Sequence, residues 1–357
     1  MVAYDGAQNP YRKFSMMAMT SPLVGNTIVS HAIEWMFHWG RVSAERTLQR
    51  QHLALDSLRK AIGGMNVDLT SNRIEIQRDS SPSGQQCFQT DLVMLAAVLM
   101  QVANSFFIGL VGVDVHLNIA LHFLQSLNIL DTPCEGFVLR FLLQRFAMLD
   151  ITTSLTQNRR PYLSLTCWFL WPDPKLDVSE PPFREMTGCP QPLWVFLARL
   201  CHLRSDLSDE SGSFSKGLAA AFQIETELRV YGESMAVLDL NGDYARESGP
   251  EAIYYHTLGQ CWYWCAHLVL QLQIYKDPKW SPRVQETVTI IMTLMKTIPV
   301  TCNPSSRTST PLCLLASGVC AQEDKKWVTE RNDELRKVFP CMTRDETMTL
   351  IQETWQE

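Results

Sequence analysis

The chain has 357 residues, of which 46% are hydrophobic and 19% charged, and its formal net charge is -6 at pH 7. This composition is typical of a soluble globular protein with a large core, and without a Lys/Arg-rich tract it predicts no direct contact with nucleic acid. The first apolar residues are interrupted by Asp5, Arg12 and Lys13, which predicts no secretory leader. The 11 cysteines form no disulfide-framework spacing, so we expect reduced thiols and an intracellular protein.

The N-terminal region predicts two helices. Ser21-Pro22 is a typical helix start, because proline is favoured at the first helical position, and that helix should run to about Trp39. The second helix is predicted from Ser43 to Ile62 and is closed by Gly63-Gly64.

Residues 66–88 are rich in Ser, Pro and Gly and read as a surface loop. A short strand from Arg73 to Gln77 is compatible with the sequence, although no partner strand is evident.

The stretch from Gln89 to Leu155 is the centre of the predicted fold. It contains three apolar segments, 91–114, 115–127 and 137–155. The first is apolar nearly all round and predicts a helix enclosed by others, whereas the three- and four-residue spacing of the third predicts one buried face.

The first segment is long enough to span a bilayer, but its polar residues argue against a membrane span. Gln101, Asn104 and Ser105 lie in its middle and Asp91 and Asp114 flank it, without a Lys/Arg cluster at either end.

The C-terminal half predicts helices separated by polar or proline-rich segments. Residues 158–183 are predicted as a loop or a loose helix, and 205–216 and 299–311 as loops. The regular alternation of polar and apolar residues that is typical of strands is missing from the sequence, so the predicted fold is all-α. We expect one large multi-helix domain over residues 1–357, built around a central buried helical layer. The helices are predicted at Leu193–Leu203, Gly217–Tyr231, Glu251–Tyr275, Pro282–Lys296, Pro311–Arg336 and Arg344–Trp355.

Six different short motifs occur one after another along the chain. They are Asn9-Pro-Tyr-Arg before the Ser21-Pro helix, Val115-His-Leu, Arg145-Phe-Ala-Met-Leu-Asp, Met186-Thr-Gly-Cys-Pro, Tyr254-Tyr-His, and Asp324-Lys-Lys-Trp-Val before a last helix that ends at Trp355. In this order the sequence resembles the fungal-specific transcription factor domain, from about Asn9 to the end of the chain. The resemblance implies an all-α regulatory domain, which in some members is a receptor for an apolar small molecule such as a sterol.

That domain usually follows a binuclear zinc-cluster module that binds DNA. The module needs Cys-x2-Cys pairs to ligate two zinc ions, and this sequence has no such pair and no cysteine before Cys87. The sequence is therefore either part of a longer regulator or a domain that lacks DNA binding of its own, and the residues leave both readings open.

The strongest candidate site is His31-x2-Glu34-x3-His38. On a helix these side chains fall within roughly 60° of one another, beside Trp35 and Trp39. A carboxylate between two imidazoles on an aromatic wall suits acid–base chemistry or ligand contact, although a plain polar stripe has the same pattern.

Cys261 and Cys265 lie one helical turn apart, but His256 and His267 are too far apart along the axis to complete a tetrahedral site with them. We therefore expect buried thiols, and neither a metal nor another cofactor is predicted.

The remaining predicted ligand contacts are Tyr255 and Trp262, in an aromatic helix, and Arg145 and Asp150, in the apolar third segment. Aromatic rings with a few polar tips can line a cavity. The same residues can equally be core packing and a structural ion pair.

Two functions follow. The first is a ligand-sensing or interaction domain of a regulator, nuclear in location, with an apolar ligand and a second copy or a related regulator as partner. The alternative is a cytoplasmic, cofactor-free enzyme of fungal specialised metabolism that cyclises or isomerises an apolar substrate. Phosphate-binding loops, dinucleotide fingerprints and hydrolase motifs are missing from the sequence, which disfavours the common kinases, dehydrogenases and hydrolases. The catalytic residues of such an enzyme would be His31, Glu34, His38 and His256.

Overall fold

The computed structural model describes residues 11–63, 65–68, 73–76, 84–105, 112–134, 136–171, 180–208, 214–240, 251–340 and 342–355. Within these ranges the protein is built from fifteen α-helices, a π-helical turn, a 3₁₀ turn and one pair of short antiparallel strands, and the predicted all-α class is confirmed. None of these helices combines the length and the apolarity that crossing a bilayer requires.

The two predicted N-terminal helices, α2 and α3, begin and end close to the predicted residues, and α1 before them was not predicted. Helix α1 covers Tyr11–Thr20, α2 covers Pro22–His38 and α3 covers Ala44–Ile62. Ser21 and Ser43 cap α2 and α3 by accepting a hydrogen bond from a backbone N–H of the first turn. Helix α2 packs against α1, α3 and α4.

The short strand has a partner, contrary to the sequence prediction. Strand β2 (Arg73–Ile76) pairs antiparallel with β1 (Met65–Asp68), in a register that joins Met65 to Ile76 and Asp68 to Arg73. The partner was missed because a four-residue strand carries too little alternation to be recognised.

The central layer consists of α4 (Gly84–Ser105), α5 (Val113–Ser126) and α6 (Phe137–Gln157). Helix α4 is buried continuously from Met94 to Ser105, as predicted. The prediction of one buried face for α6 is wrong. Helices α4, α5, α8, α9 and α13 surround α6, so even polar side chains such as Gln144 are buried.

The following helices are α7 (Leu165–Phe169), α8 (Glu180–Thr187), α9 (Gln191–Ser208) and α10 (Phe214–Leu240). The segment 158–183, predicted as a loop or a loose helix, therefore contains α7 and the start of α8. Residues 172–179 and 209–213 lie outside the described residues.

Helix α11 (Ala252–Val269) continues into a π-helical turn (Leu270–Ile274), close to the predicted aromatic helix. It packs against α9, α12 (Pro282–Thr297) and α13 (Ser309–Gly318). A 3₁₀ turn at Asn303–Arg307 precedes α13.

The single helix predicted over Pro311–Arg336 is two helices. Helix α13 ends at Gly318, the backbone is extended at Val319 and Ala321, and α14 covers Gln322–Val338. Glu323 and Asp324 in the first turn of α14 favour a new helix start, because acidic side chains stabilise helix N-termini. Helix α15 covers Met342–Thr354.

Candidate functional site

The three polar residues of α2, His31, Glu34 and His38, are called the α2 row below. Helix α2 buries Val24, Thr27, Ser30 and Glu34 against its neighbours. The helical spacing therefore aims Glu34 into the protein, with His31 and His38 beside it on the same face.

Glu34 is only 3% exposed. Its Oε2 atom accepts a hydrogen bond from Nε2 of Gln51 on α3, and its Oε1 atom lies 3.4 Å from Nε2 of His38. A buried carboxylate needs such partners to offset the loss of water. Glu34 therefore joins α3 to the imidazole at the end of α2.

His31 joins α2 to α4. Its Nδ1 atom lies 2.6 Å from Oδ1 of Asn104, and Nδ2 of Asn104 donates to Oε1 of Gln101 at 3.3 Å. Because an amide oxygen only accepts, this assignment places the imidazole proton on Nδ1.

Burial lowers the pKa of His31 to about 4, and the charge of Arg145 lowers the pKa further while the hydrogen bond to Asn104 opposes the shift. His31 is therefore a neutral imidazole near neutral pH. The charge of Arg145 on α6 therefore acts on His31 of the α2 row.

The C-terminal end of α2 places Trp39 and Arg41 side by side. The N–H of Arg41 donates to the carbonyl of Met36 and the N–H of Gly40 to that of Phe37, both at 2.8 Å. Gly40 has φ +66°, so this is the glycine-ended Schellman arrangement that satisfies the last carbonyls of a helix.

An open cleft of about 820 Å³ lies between this end of α2 and the last turns of α14. We call it the α2–α14 cleft. Its lining is formed by His38, Trp39, Arg41, Asp333, Arg336, Lys337, Val338 and Pro340.

The far wall of the cleft ends at Pro340, which cannot continue α14. Nε of Arg344 donates to the carbonyl of Phe339 at 3.1 Å and covers this helix end. Arg336 makes an ion pair with Asp345, 3.0 Å from Nε to Oδ1. Three cations and one carboxylate line the cleft, so its lining is polar and carries an excess of positive charge. The cavity for an apolar ligand that the sequence predicted stays a prediction.

The predicted residues of α11 form a second group. Nε2 of His256 accepts from Nε2 of Gln260 on the same helix at 3.0 Å. The hydroxyl oxygen of Tyr255 accepts from Nδ2 of Asn303 at 3.1 Å, and burial raises the pKa of Tyr255 to about 12. Neither His256 nor Tyr255 is among the residues that line the α2–α14 cleft.

Trp262 belongs to a row of core aromatic side chains whose rings contact one another at tilted or edge-on angles. It is 2% exposed, and its ring centroid lies 5.1 Å from that of Trp194 on α9. Its predicted contact with a ligand stays a prediction. The packing that surrounds it is that of a core side chain.

Asp150 is fully buried and has partners at both oxygens. Oδ1 lies 2.9 Å from Nη2 of Arg159, and Oδ2 accepts from the backbone N–H of Leu163 at 2.9 Å. Burial raises the pKa of Asp150 and the charge of Arg159 opposes that shift. This arrangement ties the segment after α6 to the helix.

Sequence reasoning missed the cationic residues of the cleft and the amides that hold the α2 row. Arg41 follows Gly40, and a glycine after a helix is a recognisable C-terminal signal. No local signal links Arg41 to Arg336 and Lys337, nearly the whole chain away.

Among the described residues, no group of three or more His, Cys, Asp or Glu side chains could hold a metal ion. Cys261 and Cys265 are buried free thiols. Burial raises the pKa of Cys261 to about 12 and that of Cys265 well above its ordinary value.

A family model described as the fungal specific transcription factor domain matches residues 1–357. Comparison with curated proteins and with solved structures gives no match. The matched range includes the α2 row and every residue of the α2–α14 cleft.

Proposed function

Because this chain belongs to the fungal specific transcription factor domain family, we propose that it is a regulatory domain that senses a small molecule in the α2–α14 cleft. The family supports the regulatory role. The link between the cleft and the buried contacts of α2 supports the choice of site.

The position of His38, between the cleft and the buried Glu34, is the observation that carries this proposal. It lines the cleft, and its Nε2 atom lies 3.4 Å from the buried carboxylate of Glu34. A ligand that approaches His38 therefore acts on a side chain whose partner holds Gln51 of α3.

The other end of the α2 row reaches the central layer. His31 contacts Asn104 of α4, and α4 packs against α6. A shift of α2 would change hydrogen bonds to both α3 and α4. A ligand can drive such a shift only by the difference between its affinities for the two arrangements.

The direct test is hydrogen–deuterium exchange of the full chain with and without small-molecule extract from a fungal host. We expect slower exchange in residues 37–41 and 333–340, and a further change in α3, where Gln51 contacts Glu34. Protection confined to α11, with α2 and α14 unchanged, would contradict the proposed site.

Regulatory output is tested by a reporter gene driven by the full chain fused to a heterologous DNA-binding domain. Glu34→Gln keeps the size of the side chain and removes its charge, so we expect altered output at unchanged protein level. The matched control is Asp206→Asn, which changes an exposed carboxylate paired with Arg160. Equal output from both variants would count against the α2 row as the sensing element.

One observation also favours the catalytic alternative. An imidazole at a cleft, with a buried carboxylate 3.4 Å from its Nε2 atom, has the residue types of a general base and its partner. The fourth predicted catalytic residue, His256, lies on α11 and contacts Gln260. Incubating the protein with the extract and following new products by mass spectrometry, with His38→Ala as control, tests this alternative.

A further inference from the structure

The α2–α14 cleft has more positive than negative charge. Arg41, Arg336 and Lys337 face a single carboxylate, Asp333. Arg336 is already in an ion pair with Asp345. Within the described part of the chain, neither Arg41 nor Lys337 has an ion-pair partner, so both are available to a ligand.

The cleft also presents an indole ring. Trp39 is 56% exposed, which is unusual for a large aromatic side chain. Its ring centroid lies 6.0 Å from that of Trp35 at an interplanar angle of 83°. This edge contact holds the ring while leaving much of it open to stack on a flat group.

The C-terminal ends of α2 and α14 limit which groups in the cleft can bind an anion. Both α2 and α14 end at the cleft, and the negative end of a helix dipole disfavours an anion. The Schellman bonds satisfy the last carbonyls of α2, and Arg344 covers the end of α14. The N–H groups of Gly40 and Arg41 are occupied, so side chains must supply the binding.

We propose that the α2–α14 cleft binds a small anionic molecule with a flat ring. Its carboxylate or phosphate is held by Arg41 and Lys337, and its ring stacks on Trp39. This rests on the proposed function, which places the signal in this cleft, and adds the chemical class of the signal.

Size and charge favour a small molecule over a polyanion. The cleft volume of about 820 Å³ lies within the range of about 300–1,000 Å³ that small-molecule sites occupy. The chain as a whole has a net charge of -6, so a long polyanion would be repelled outside the cleft.

The test is fluorine NMR of the full chain labelled with fluorotryptophan, with the Trp39 signal assigned by Trp39→Phe. The probes are naphthyl phosphate, naphthoate and neutral naphthol. We expect both anions to shift the Trp39 signal and to bind at least about tenfold more tightly than naphthol. The tighter of the two anions identifies the head group as phosphate or carboxylate.

The variants isolate the charges. Arg41→Gln combined with Lys337→Gln should weaken naphthyl phosphate binding by about tenfold or more, and circular dichroism checks the fold. The control, Lys326→Gln, changes a cation of α14 that pairs with Glu330, and it should bind like the wild type.

Equal affinity for naphthol and naphthyl phosphate, or undiminished binding by the double variant, overturns the proposal. Displacement of the probe by a short DNA duplex also overturns it and assigns the cleft to nucleic acid. A neutral ligand found by hydrogen exchange at the same cleft would overturn the anionic class proposed here and leave the proposed function standing. Anion binding without any effect of the double variant on the reporter would instead remove the proposed function and leave this site.

Discussion

Asp150 and the partly exposed Arg159 form an ion pair, with 2.9 Å between Oδ1 and Nη2. Asp150 is fully buried, and its Oδ2 atom accepts a hydrogen bond from the backbone N–H of Leu163. The pair therefore connects α6 to the chain that follows it. The next arginine, Arg160, pairs with Asp206, but both of those side chains are more than half exposed.

These two pairs give a matched prediction. Asp150→Ala should lower the free energy of unfolding by about 2–3 kcal/mol, because the buried N–H of Leu163 loses its acceptor. Arg159 would keep its second carboxylate partner, Asp114, 3.1 Å from Nε to Oδ1. Asp206→Ala should cost at most about 1 kcal/mol, since water screens an exposed pair. Urea denaturation measures both. Similar small losses would mean that Asp150 is not structural and would strengthen its predicted contact with a ligand.

The stability of the protein should depend on pH through His31. Burial lowers the pKa of His31 from 6.5 to about 4, so the unfolded chain binds a proton between these values that the folded chain does not. The stabilisation is therefore complete above pH 6.5 and is lost as the pH falls toward 4. In that window His31 contributes a slope of up to about 1.4 kcal/mol per pH unit.

His31→Gln should flatten the rise of the unfolding free energy between pH 4 and 6.5, as measured by urea denaturation at several pH values. Burial also lowers the pKa of His267 to about 4. Since His267 lies on α11, its replacement by Gln should flatten the slope separately and additively. A slope in His31→Gln identical to that of the wild type would refute this assignment.

The end of α2 depends on a glycine. Gly40 has φ +66°, and an added Cβ would meet nothing within 4 Å. The cost of Gly40→Ala is therefore conformational, about 1–2 kcal/mol. Gly25 lies inside α2, where an added Cβ would contact the carbonyl of Ala18 at 3.4 Å, so Gly25→Ala should instead stabilise by about 0.5–1 kcal/mol. Thermal unfolding of both variants checks the opposite signs, and a loss in both would exclude this account.

Replacing Trp262 distinguishes a core-packing role of this side chain from a role in lining a ligand site. Trp262→Ala should cost about 3–5 kcal/mol because it opens a cavity beside Trp194. Trp280, which is 77% exposed, is the control, and Trp280→Ala should change stability by no more than about 0.5 kcal/mol. If Trp262→Ala were nearly neutral in stability but abolished ligand binding, the aromatic residues of α11 would be the binding site.

The sequence by itself determined the fold class and the boundaries of α2, α3 and α12 to within one or two residues. Ser21-Pro22, Ser43 and Gly63 are local signals, and the structure places the ends of α2 and α3 beside them. The resemblance to the family also needed only short motifs in order. Signals of this kind work because helix caps and helical periodicity depend on residues within a few positions of each other.

Only the tertiary structure decided how α6 is buried and where the candidate site lies. The sequence predicted one buried face for α6, and five neighbouring helices enclose it. The α2 row was predicted as a unit, but its partners Gln51 and Asn104 were not. Side chains on one helix are related by a fixed rotation per residue, whereas contacts between helices depend on packing of the whole chain. The α2–α14 cleft joins residues nearly three hundred positions apart, so no local pattern could have assembled its charges.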